Sequence, residues 1–149
     1  MTLASAQPPS GAQAFPARPT ELSRIISLLR TRGAQLGAAP EMLVRIELAL
    51  EELLVNTIQH GYLREDGLVW ITLTPNANGI RLTYEDAAPP FNPCAIDAAA
   101  LDRAHAGDDP ERRPTGGLGR LLVARLCKAN SYSYDSVRKR NVLSLDFSP

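Results

Sequence analysis

Cysteine is scarce in this chain, since only Cys94 and Cys127 occur among its 149 residues. A disulfide framework or a structural metal site needs more cysteines at closer spacing. We therefore expect two free thiols, which is the usual state in a reducing cytosol, and a fold that no covalent cross-link stabilises.

An excess of charge of one sign is also lacking, because 16 Lys and Arg residues balance 16 Asp and Glu residues. A general nucleic-acid binder, or a protein that adheres to anionic membranes, needs a basic surface. With 44% hydrophobic and 21% charged residues, the composition is that of an ordinary globular chain. Its length suffices for one hydrophobic core, so we predict a single domain that contacts neither nucleic acid nor membrane.

Long apolar runs are missing. No stretch reaches the roughly 20 residues that a membrane-spanning helix needs. Residues 1–14 lack the basic start and the apolar run of a signal peptide, so we predict a cytoplasmic protein. Residues 1–13 are rich in Ala, Ser, Pro, Gly and Gln and are predicted to be a flexible segment ahead of a domain at residues 14–149.

The first half of the chain carries two helix patterns. Thr20 is expected to be the N-cap of a helix whose apolar stripe includes Ile25 and Leu29. Pro40 suits the first turn of the next helix, and Gly61 is expected to end it. This second helix is apolar nearly all round, so we predict that it is buried in the core.

Strands are predicted where apolar and polar residues alternate. A hairpin turn at Asn76–Gly79 separates two of them, and a helix around Leu122 precedes the last two, which a basic turn at Arg138–Arg140 joins. This order predicts an α+β fold, a two-layer α/β sandwich in which helices cover one face of a mostly antiparallel sheet. The predicted strands are residues 14–15, 69–74, 80–84, 131–135 and 141–147.

Glu52 and Asn56 are four positions apart on the second helix, and this spacing places them on one helix face. Polar groups that face a core are unfavourable unless something pairs with them. A bound ion and a hydroxyl-bearing ligand would satisfy both. The alternative is that they form the solvated edge of an amphipathic helix. His60 extends the stripe, but a lone histidine at a helix end is more often a structural group.

Two further segments combine polar residues with turn chemistry. Asp86 closes a strand and opens the loop Ala87-Ala88-Pro89-Pro90-Phe91-Asn92-Pro93, although it could simply form an Asx-turn there. The run Thr115-Gly116-Gly117-Leu118-Gly119 opens a helix, and bare backbone amides at a helix start form an anion site suited to a polyphosphate. The alternative is a flexible helix start. No Walker-type glycine-lysine motif occurs, so this is not a P-loop protein.

Together, the Glu-x-x-x-Asn helix, the Asp-initiated Pro-Phe-Asn-Pro turn and the Gly-Gly-Leu-Gly helix start resemble the GHKL ATPase superfamily of gyrase, Hsp90, histidine kinases and MutL. Within it, residues 15–148 are most similar to the small anti-sigma-factor serine kinases of the RsbW and SpoIIAB type. The resemblance implies the Bergerat ATP-binding fold, ATP and Mg²⁺ as ligands, and a homodimer.

The resemblance also implies residue roles. Glu52 would be the catalytic base, and Asn56 would bind both the nucleotide and the magnesium ion. Asp86 would accept a hydrogen bond from the exocyclic amine of adenine, which implies a preference for ATP over GTP. Ala88 stands where the superfamily has a glycine that lets the backbone pass close to the base. The other residues implied to bind nucleotide are Phe91, Thr115, Gly116, Gly117, Leu118 and Gly119.

Such kinases hold a sigma factor inactive and phosphorylate a serine on a STAS-domain antagonist protein. The resemblance therefore implies a partner-switching regulator, with residues 97–115 as an ATP lid and Arg112 and Arg113 as phosphate contacts. The main alternative is a non-catalytic module whose partner binding is gated by ATP. An ATPase of the gyrase or Hsp90 kind and a histidine-kinase module are less expected, because the domains that those proteins add are not recognised here.

Overall fold

The computed structural model describes residues 11–95 and 117–149, with only the backbone described for residues 117–121. Eight regular elements follow one another in the order that the sequence predicts, and their bounds lie within a few residues of the predicted ones. They are β1 (Gln13–Pro16), α1 (Leu22–Gln35), α2 (Pro40–Asn56), β2 (Leu68–Asn76), β3 (Gly79–Asp86), α3 (Gly117–Leu126), β4 (Ala129–Asp135) and β5 (Arg140–Phe147).

The five strands form one antiparallel sheet in the order β1-β2-β3-β5-β4. The predicted hairpin is present, because β2 ends at Asn76 and β3 begins at Gly79, which pair with each other. β5 lies between β3 and β4, so that Asp86 at the end of β3 is directly opposite Asn141 near the start of β5. The α+β prediction is confirmed.

The core lies between the sheet and the helices. Alternate residues of β2, Val69, Ile71 and Leu73, are buried, as the apolar alternation predicts. Burying one such side chain contributes roughly 1.5–3 kcal/mol. The helical layer supplies the opposing side chains, among them Ile25, Leu29, Ile46, Leu50, Leu53 and Leu54.

The prediction that α2 is buried all round is wrong. Val44, Leu48 and Val55 are 53%, 41% and 38% exposed. In a two-layer sandwich a helix packs on the sheet with one side, while its opposite side has no second layer to cover it. The polar residues Glu52 and Asn56 therefore lie half-buried at the margin of the helical layer and do not face the core.

Thr20 is not a helix N-cap. It lies inside a short 3₁₀ turn, Pro19–Glu21, which leads directly into α1, and no side chain caps either start. The reason is Pro19, whose fixed backbone angle suits the first position of a helical turn and starts the turn two residues earlier, with Arg18 at the N-cap position.

α2 does not continue as an α-helix to Gly61. It ends at Asn56, and a π-helical turn, Thr57–Gly61, follows. The N–H of Tyr62 donates to the carbonyl of Thr57 at 2.7 Å, five residues back. Gly61 ends the helical path as predicted, but the wider turn means that the i+4 spacing does not fix the direction of His60. Turns of this kind occur frequently at functional sites.

The second face of the sheet carries a buried charged cluster. Trp70 and Glu85 are paired neighbours on β2 and β3, and the guanidinium carbon of Arg140 lies 3.5 Å from the centroid of the Trp70 ring. Nη2 of Arg138 lies 3.1 Å from Oε1 of Glu85. Arg140 is thus a buried β5 residue and not part of an exposed basic turn, because its stem and charge are stabilised by these partners. Burial lowers its pKa from the ordinary arginine value.

Both thiols are free, as predicted, and both are buried. Burial raises the pKa of Cys94 to about 11 and also raises that of Cys127, so both remain unreactive neutral thiols near neutral pH.

Within residues 11–95 and 117–149, no helix combines the length and the apolar character needed to cross a membrane.

Candidate functional site

A cavity of about 360 Å³ opens between the end of α2 and the ends of β3 and β5. Leu53 and Leu143 form its apolar wall, Phe91 and Tyr132 contribute aromatic rings, and the carboxylate of Asp86 supplies a charge. Small-molecule sites measure roughly 300–1,000 Å³ and combine apolar walls with few polar groups. The cavity therefore has the size and the lining of a ligand site.

The Asp86 carboxylate is held by three protein donors. Its Oδ1 accepts hydrogen bonds from Nδ2 of Asn141 at 2.8 Å and from the N–H of Ala88 at 3.1 Å. Its Oδ2 accepts one from the hydroxyl of Thr57 at 2.9 Å. An ionised carboxylate has about four acceptor positions, so Oδ2 retains capacity for a donor from a ligand. The side chain is thus fixed in orientation and still able to bind.

Thr57 links this carboxylate to a buried phenol. Its hydroxyl lies 2.6 Å from the hydroxyl of Tyr84. Because Thr57 has one hydroxyl hydrogen and donates it to Asp86, the hydroxyl hydrogen of Tyr84 is shared between Thr57 and the carbonyl of Leu53, which lies 3.3 Å away. Burial raises the pKa of Tyr84 well above its ordinary value, which keeps this donor protonated. The chain of bonds from Tyr84 through Thr57 ends at Asp86 and makes that carboxylate an acceptor only.

Asn141 connects four parts of the site. Besides its bond to the carboxylate, its Nδ2 donates to the carbonyl oxygens of Ala88 at 3.0 Å and Pro89 at 3.1 Å. Its Oδ1 accepts from the hydroxyl of Tyr132 at 2.5 Å and from the N–H of Phe91 at 3.0 Å. One buried amide therefore joins β5, the end of β3, the proline-rich loop and the outer strand β4.

Tyr62 fastens the segment after the π-helical turn to the same loop. Its hydroxyl donates to the carbonyl of Leu68 at 2.6 Å and accepts from the N–H of Ala87 at 2.7 Å. Burial raises the pKa of Tyr62 to about 12, so the hydroxyl stays protonated over the physiological range. The backbone on both sides of Asp86 is consequently held in place.

Asn56 lies on the cavity wall, as the motif predicts. Its Nδ2 is buried, and no hydrogen-bond partner for it occurs among residues 11–95 and 117–149. A half-turn of the amide brings the oxygen to the same place, which is the atom that a magnesium ion requires. A buried amide without a hydrogen-bond partner among the described residues is the arrangement expected where a ligand or an ion binds. Asn56 therefore fits the magnesium role that the resemblance implies.

Glu52 lies one helical turn before Asn56 and is half-buried. Among the residues that the structure describes, Glu52 is not part of the cavity wall. His60 and Phe91 are exposed and line the cavity, and Ala88 lines it from the buried side. The cavity wall thus includes Asn56, Asp86, Ala88 and Phe91 from the predicted set but not Glu52, and the roles predicted for all five stay predictions.

The predicted polyphosphate site lies largely outside the described residues. Its later glycines, Gly117 and Gly119, belong to the first turn of α3 together with Leu118, as the glycine-rich helix start predicts. The other predicted contacts lie outside the described residues; they are Arg112, Arg113, Thr115 and Gly116. The same holds for the whole of the predicted lid at residues 97–115.

Sequence reasoning missed Thr57 and Asn141. Thr57 directly follows Asn56, so its place beside the motif was a usable signal. Asn141 gives no local signal, because its importance arises from the pairing of β5 with β3, which puts it opposite Asp86. Sequence reasoning also did not identify the three tyrosines of the site, Tyr62, Tyr84 and Tyr132, because no motif distinguishes them from other strand and loop residues.

A family model described as a histidine kinase-like ATPase domain matches residues 15–147. The match begins in the middle of β1 and ends with the last residue of β5. It includes every described residue of the cavity. No curated protein matches the chain.

Proposed function

The chain belongs to the histidine kinase-like ATPase domain family of the GHKL superfamily, and from this premise we propose that it is an ATP- and magnesium-dependent protein serine kinase of the anti-sigma-factor type. Membership in this family implies ATP binding. The serine kinase activity, the RsbW and SpoIIAB branch and the partners are our proposal.

The observation that carries the proposal is the acceptor-only carboxylate of Asp86 at the cavity wall. Adenine presents an exocyclic amine, a donor, at the position where guanine has a carbonyl oxygen, an acceptor. A carboxylate whose protein partners are all donors attracts the amine and repels the carbonyl. The cavity therefore favours ATP over GTP.

Asn56 is the residue that would hold magnesium, with nucleotide phosphates and water as the remaining ligands. When bound, the ion neutralises phosphate charge that would otherwise oppose attack by a hydroxyl. The glycines at the start of α3 would donate backbone hydrogen bonds to the phosphates.

Glu52 is proposed to accept the proton of the attacking serine hydroxyl, directly or through one water. It lies one helical turn before Asn56, the residue proposed to hold magnesium beside the phosphates. Phosphoryl transfer needs little from a protein beyond positioning and charge neutralisation, so one base and one compact site are sufficient.

The proposed partners are proteins. The chain would form a homodimer in the cytoplasm, hold a sigma factor inactive, and phosphorylate a serine of a STAS-domain antagonist. Its formal net charge of zero supports protein partners over nucleic acid.

The experiment is to incubate the purified protein with labelled Mg-ATP and each STAS protein encoded in the same genome. We expect one of them to acquire phosphoserine, and the Glu52→Gln variant to transfer far less. If no STAS protein is labelled while ATP still binds, the kinase proposal fails.

A second candidate function is a non-catalytic module that binds a partner according to its nucleotide state. It is favoured by one observation, the position of Glu52 outside the described cavity wall. This module would bind a sigma factor in the presence of ATP without consuming it. Identical sigma-factor affinity in the wild type and in Glu52→Gln, with no transfer by either, would support it.

A further inference from the structure

Gly61 and Ala88 face each other across the buried side of the cavity. A Cβ built on Gly61 would lie 2.9 Å from the Cβ of Ala88, well inside the roughly 3.5–4.0 Å at which two carbon atoms attract each other. Both residues line the cavity, and Ala88 is only 3% exposed. The gap between them therefore holds one methyl group and no more.

Backbone conformation does not explain the glycine. Among the described residues, the glycines with positive φ are Gly11 and Gly37, whereas Gly61 is not among them. A residue with a Cβ could adopt the backbone of Gly61, so what excludes one is the methyl group of Ala88.

Ala88 cannot retreat from Gly61. Its N–H donates to Oδ1 of Asp86 at 3.1 Å, and its carbonyl accepts from Nδ2 of Asn141 at 3.0 Å. A shift of the loop would break both bonds and disturb the carboxylate proposed to bind the base. The methyl group is thus held in place by the same contacts that fix Asp86.

We propose that Gly61 and Ala88 are a matched pair that sets the size of the base pocket. This inference rests on the proposed nucleotide function and specifies its substrate class: an adenine without bulky substituents. The alanine that replaces the superfamily glycine is accommodated because Gly61 leaves room for it. Removing the methyl group should enlarge the pocket, and moving it to residue 61 should preserve the total volume.

The test compares the wild type with Ala88→Gly, Gly61→Ala and the double variant. ATP, N6-benzyl-ATP and 2-methylthio-ATP are titrated against each, and Kd is measured. We expect Gly61→Ala to weaken ATP binding about tenfold, because one extra methyl group in a closely packed site displaces the neighbouring groups that would hold the ligand. The double variant should recover to within about threefold of the wild type. Ala88→Gly should bind at least one enlarged analogue about tenfold more tightly than the wild type does.

Gly33→Ala is the matched control. Its new methyl would meet Cδ2 of Leu43 in the helical layer, away from the cavity. It should lower the melting temperature without changing the preference among the three nucleotides. A change of preference in this control would contradict the proposal, because packing defects in general would then alter selectivity.

Melting temperatures without nucleotide separate this inference from the proposed function. If the wild type binds no ATP, the proposed function fails, but the steric pair still predicts that Gly61→Ala melts lower and that adding Ala88→Gly restores most of the loss. If the changes in melting temperature caused by the two substitutions simply add, the proposed steric pairing of Gly61 and Ala88 is wrong. If Ala88→Gly binds neither enlarged analogue more tightly than the wild type does, the proposal that the methyl group of Ala88 limits the pocket size is wrong.

Discussion

Nδ2 of Asn141 donates a 2.8 Å hydrogen bond to Oδ1 of Asp86, although 55 residues separate the two in sequence. They are direct cross-strand neighbours on β5 and β3. The carboxylate proposed to recognise the base is therefore oriented by a residue from the far end of the chain, and the consequences can be measured.

Replacing Asn141 with alanine should weaken both folding and nucleotide binding. The change removes the donor to Asp86 and to the carbonyl oxygens of Ala88 and Pro89, and the acceptor of the Tyr132 hydroxyl, at a cost of about 1–3 kcal/mol. Urea denaturation measures the first effect, and the thermal shift with ATP measures the second. Asn78→Ala, in the exposed hairpin turn, should change stability by less than about 0.5 kcal/mol. Equal losses in both variants would contradict the central place of Asn141.

Thr57→Val should reveal the hydrogen-bond chain. It keeps the shape of the side chain but removes the donor to Asp86 and the acceptor of the Tyr84 hydroxyl, with an expected loss of about 1–3 kcal/mol. Tyr84→Phe removes the contact with Thr57 and the 3.3 Å bond to the carbonyl of Leu53, but it keeps the donor to Asp86 and should cost less. In the double variant the loss should fall short of the sum by about 0.5 kcal/mol or more, as measured by chemical denaturation. A strictly additive result would mean that the two hydroxyls act independently.

Glu52→Gln should leave ATP binding nearly unchanged and lower phosphoryl transfer about 10²–10⁴-fold, the usual contribution of a positioned base. Glu51→Gln is the matched control, because Glu51 is the adjacent carboxylate and is exposed. Transfer rates to the STAS substrate and ATP affinities are measured for both. Wild-type transfer by Glu52→Gln would exclude this residue as the base.

Asn56→Ala should abolish the part of ATP binding that depends on magnesium. The reason is the loss of a side-chain oxygen whose amide has a buried, unpartnered Nδ2 within the described residues. Calorimetric titration with ATP in the presence of Mg²⁺ and of EDTA measures the difference. If magnesium strengthens binding equally in the variant and in the wild type, Asn56 is not its ligand.

Asp146 should contribute stability that disappears in acid. Nε and Nη2 of Arg81 donate to both of its oxygens, at 2.8 and 3.1 Å, which lowers the pKa of the carboxyl. A folded-state pKa below the unfolded value of about 3.9 stabilises the native state above that pH, and the contribution is lost as the pH falls through the folded value. The side chains of Arg81 and Asp146 are 48% and 25% exposed, so the effect should be a few tenths of a kcal/mol.

Unfolding free energies of Asp146→Asn and the wild type, compared between pH 7 and pH 3, provide the measurement. The two proteins should differ at pH 7, and the difference should shrink as the pH falls from about 4 through the folded-state pKa. Asp66→Asn serves as the control, since its carboxylate is 89% exposed. A difference that grows in acid would show that the sign is wrong.

Local patterns were sufficient for much of the fold. The hairpin of β2 and β3 could be predicted because its turn residues and its apolar alternation all lie within residues 68–86. Asn56 and Asp86 could be predicted as a pair because both occur in short motifs. The exposure of Val44 could not be predicted, because the sequence of a helix does not show whether a second layer of structure covers its apolar residues.

The remaining differences have equally physical causes. Thr20 has the right side chain for an N-cap, but the backbone preference of Pro19 determines where the turn starts. Arg140 is buried beside Trp70 because the register of β5 places it there, and register is a property of the assembled sheet. The same dependence on register explains why Asn141 was missed.

The insertion of β5 between β3 and β4 has a consequence for how the protein folds. The hairpin of β2 and β3 forms from neighbouring segments, but β5 must join β3 across more than fifty intervening residues, a slow and entropically unfavourable closure. Until that strand docks, Asp86 has no Asn141 and the cavity lacks one wall. Ligand binding can therefore stabilise only the nearly complete structure, and a nascent chain that has not yet released β5 from the ribosome has no complete cavity for a ligand to fill.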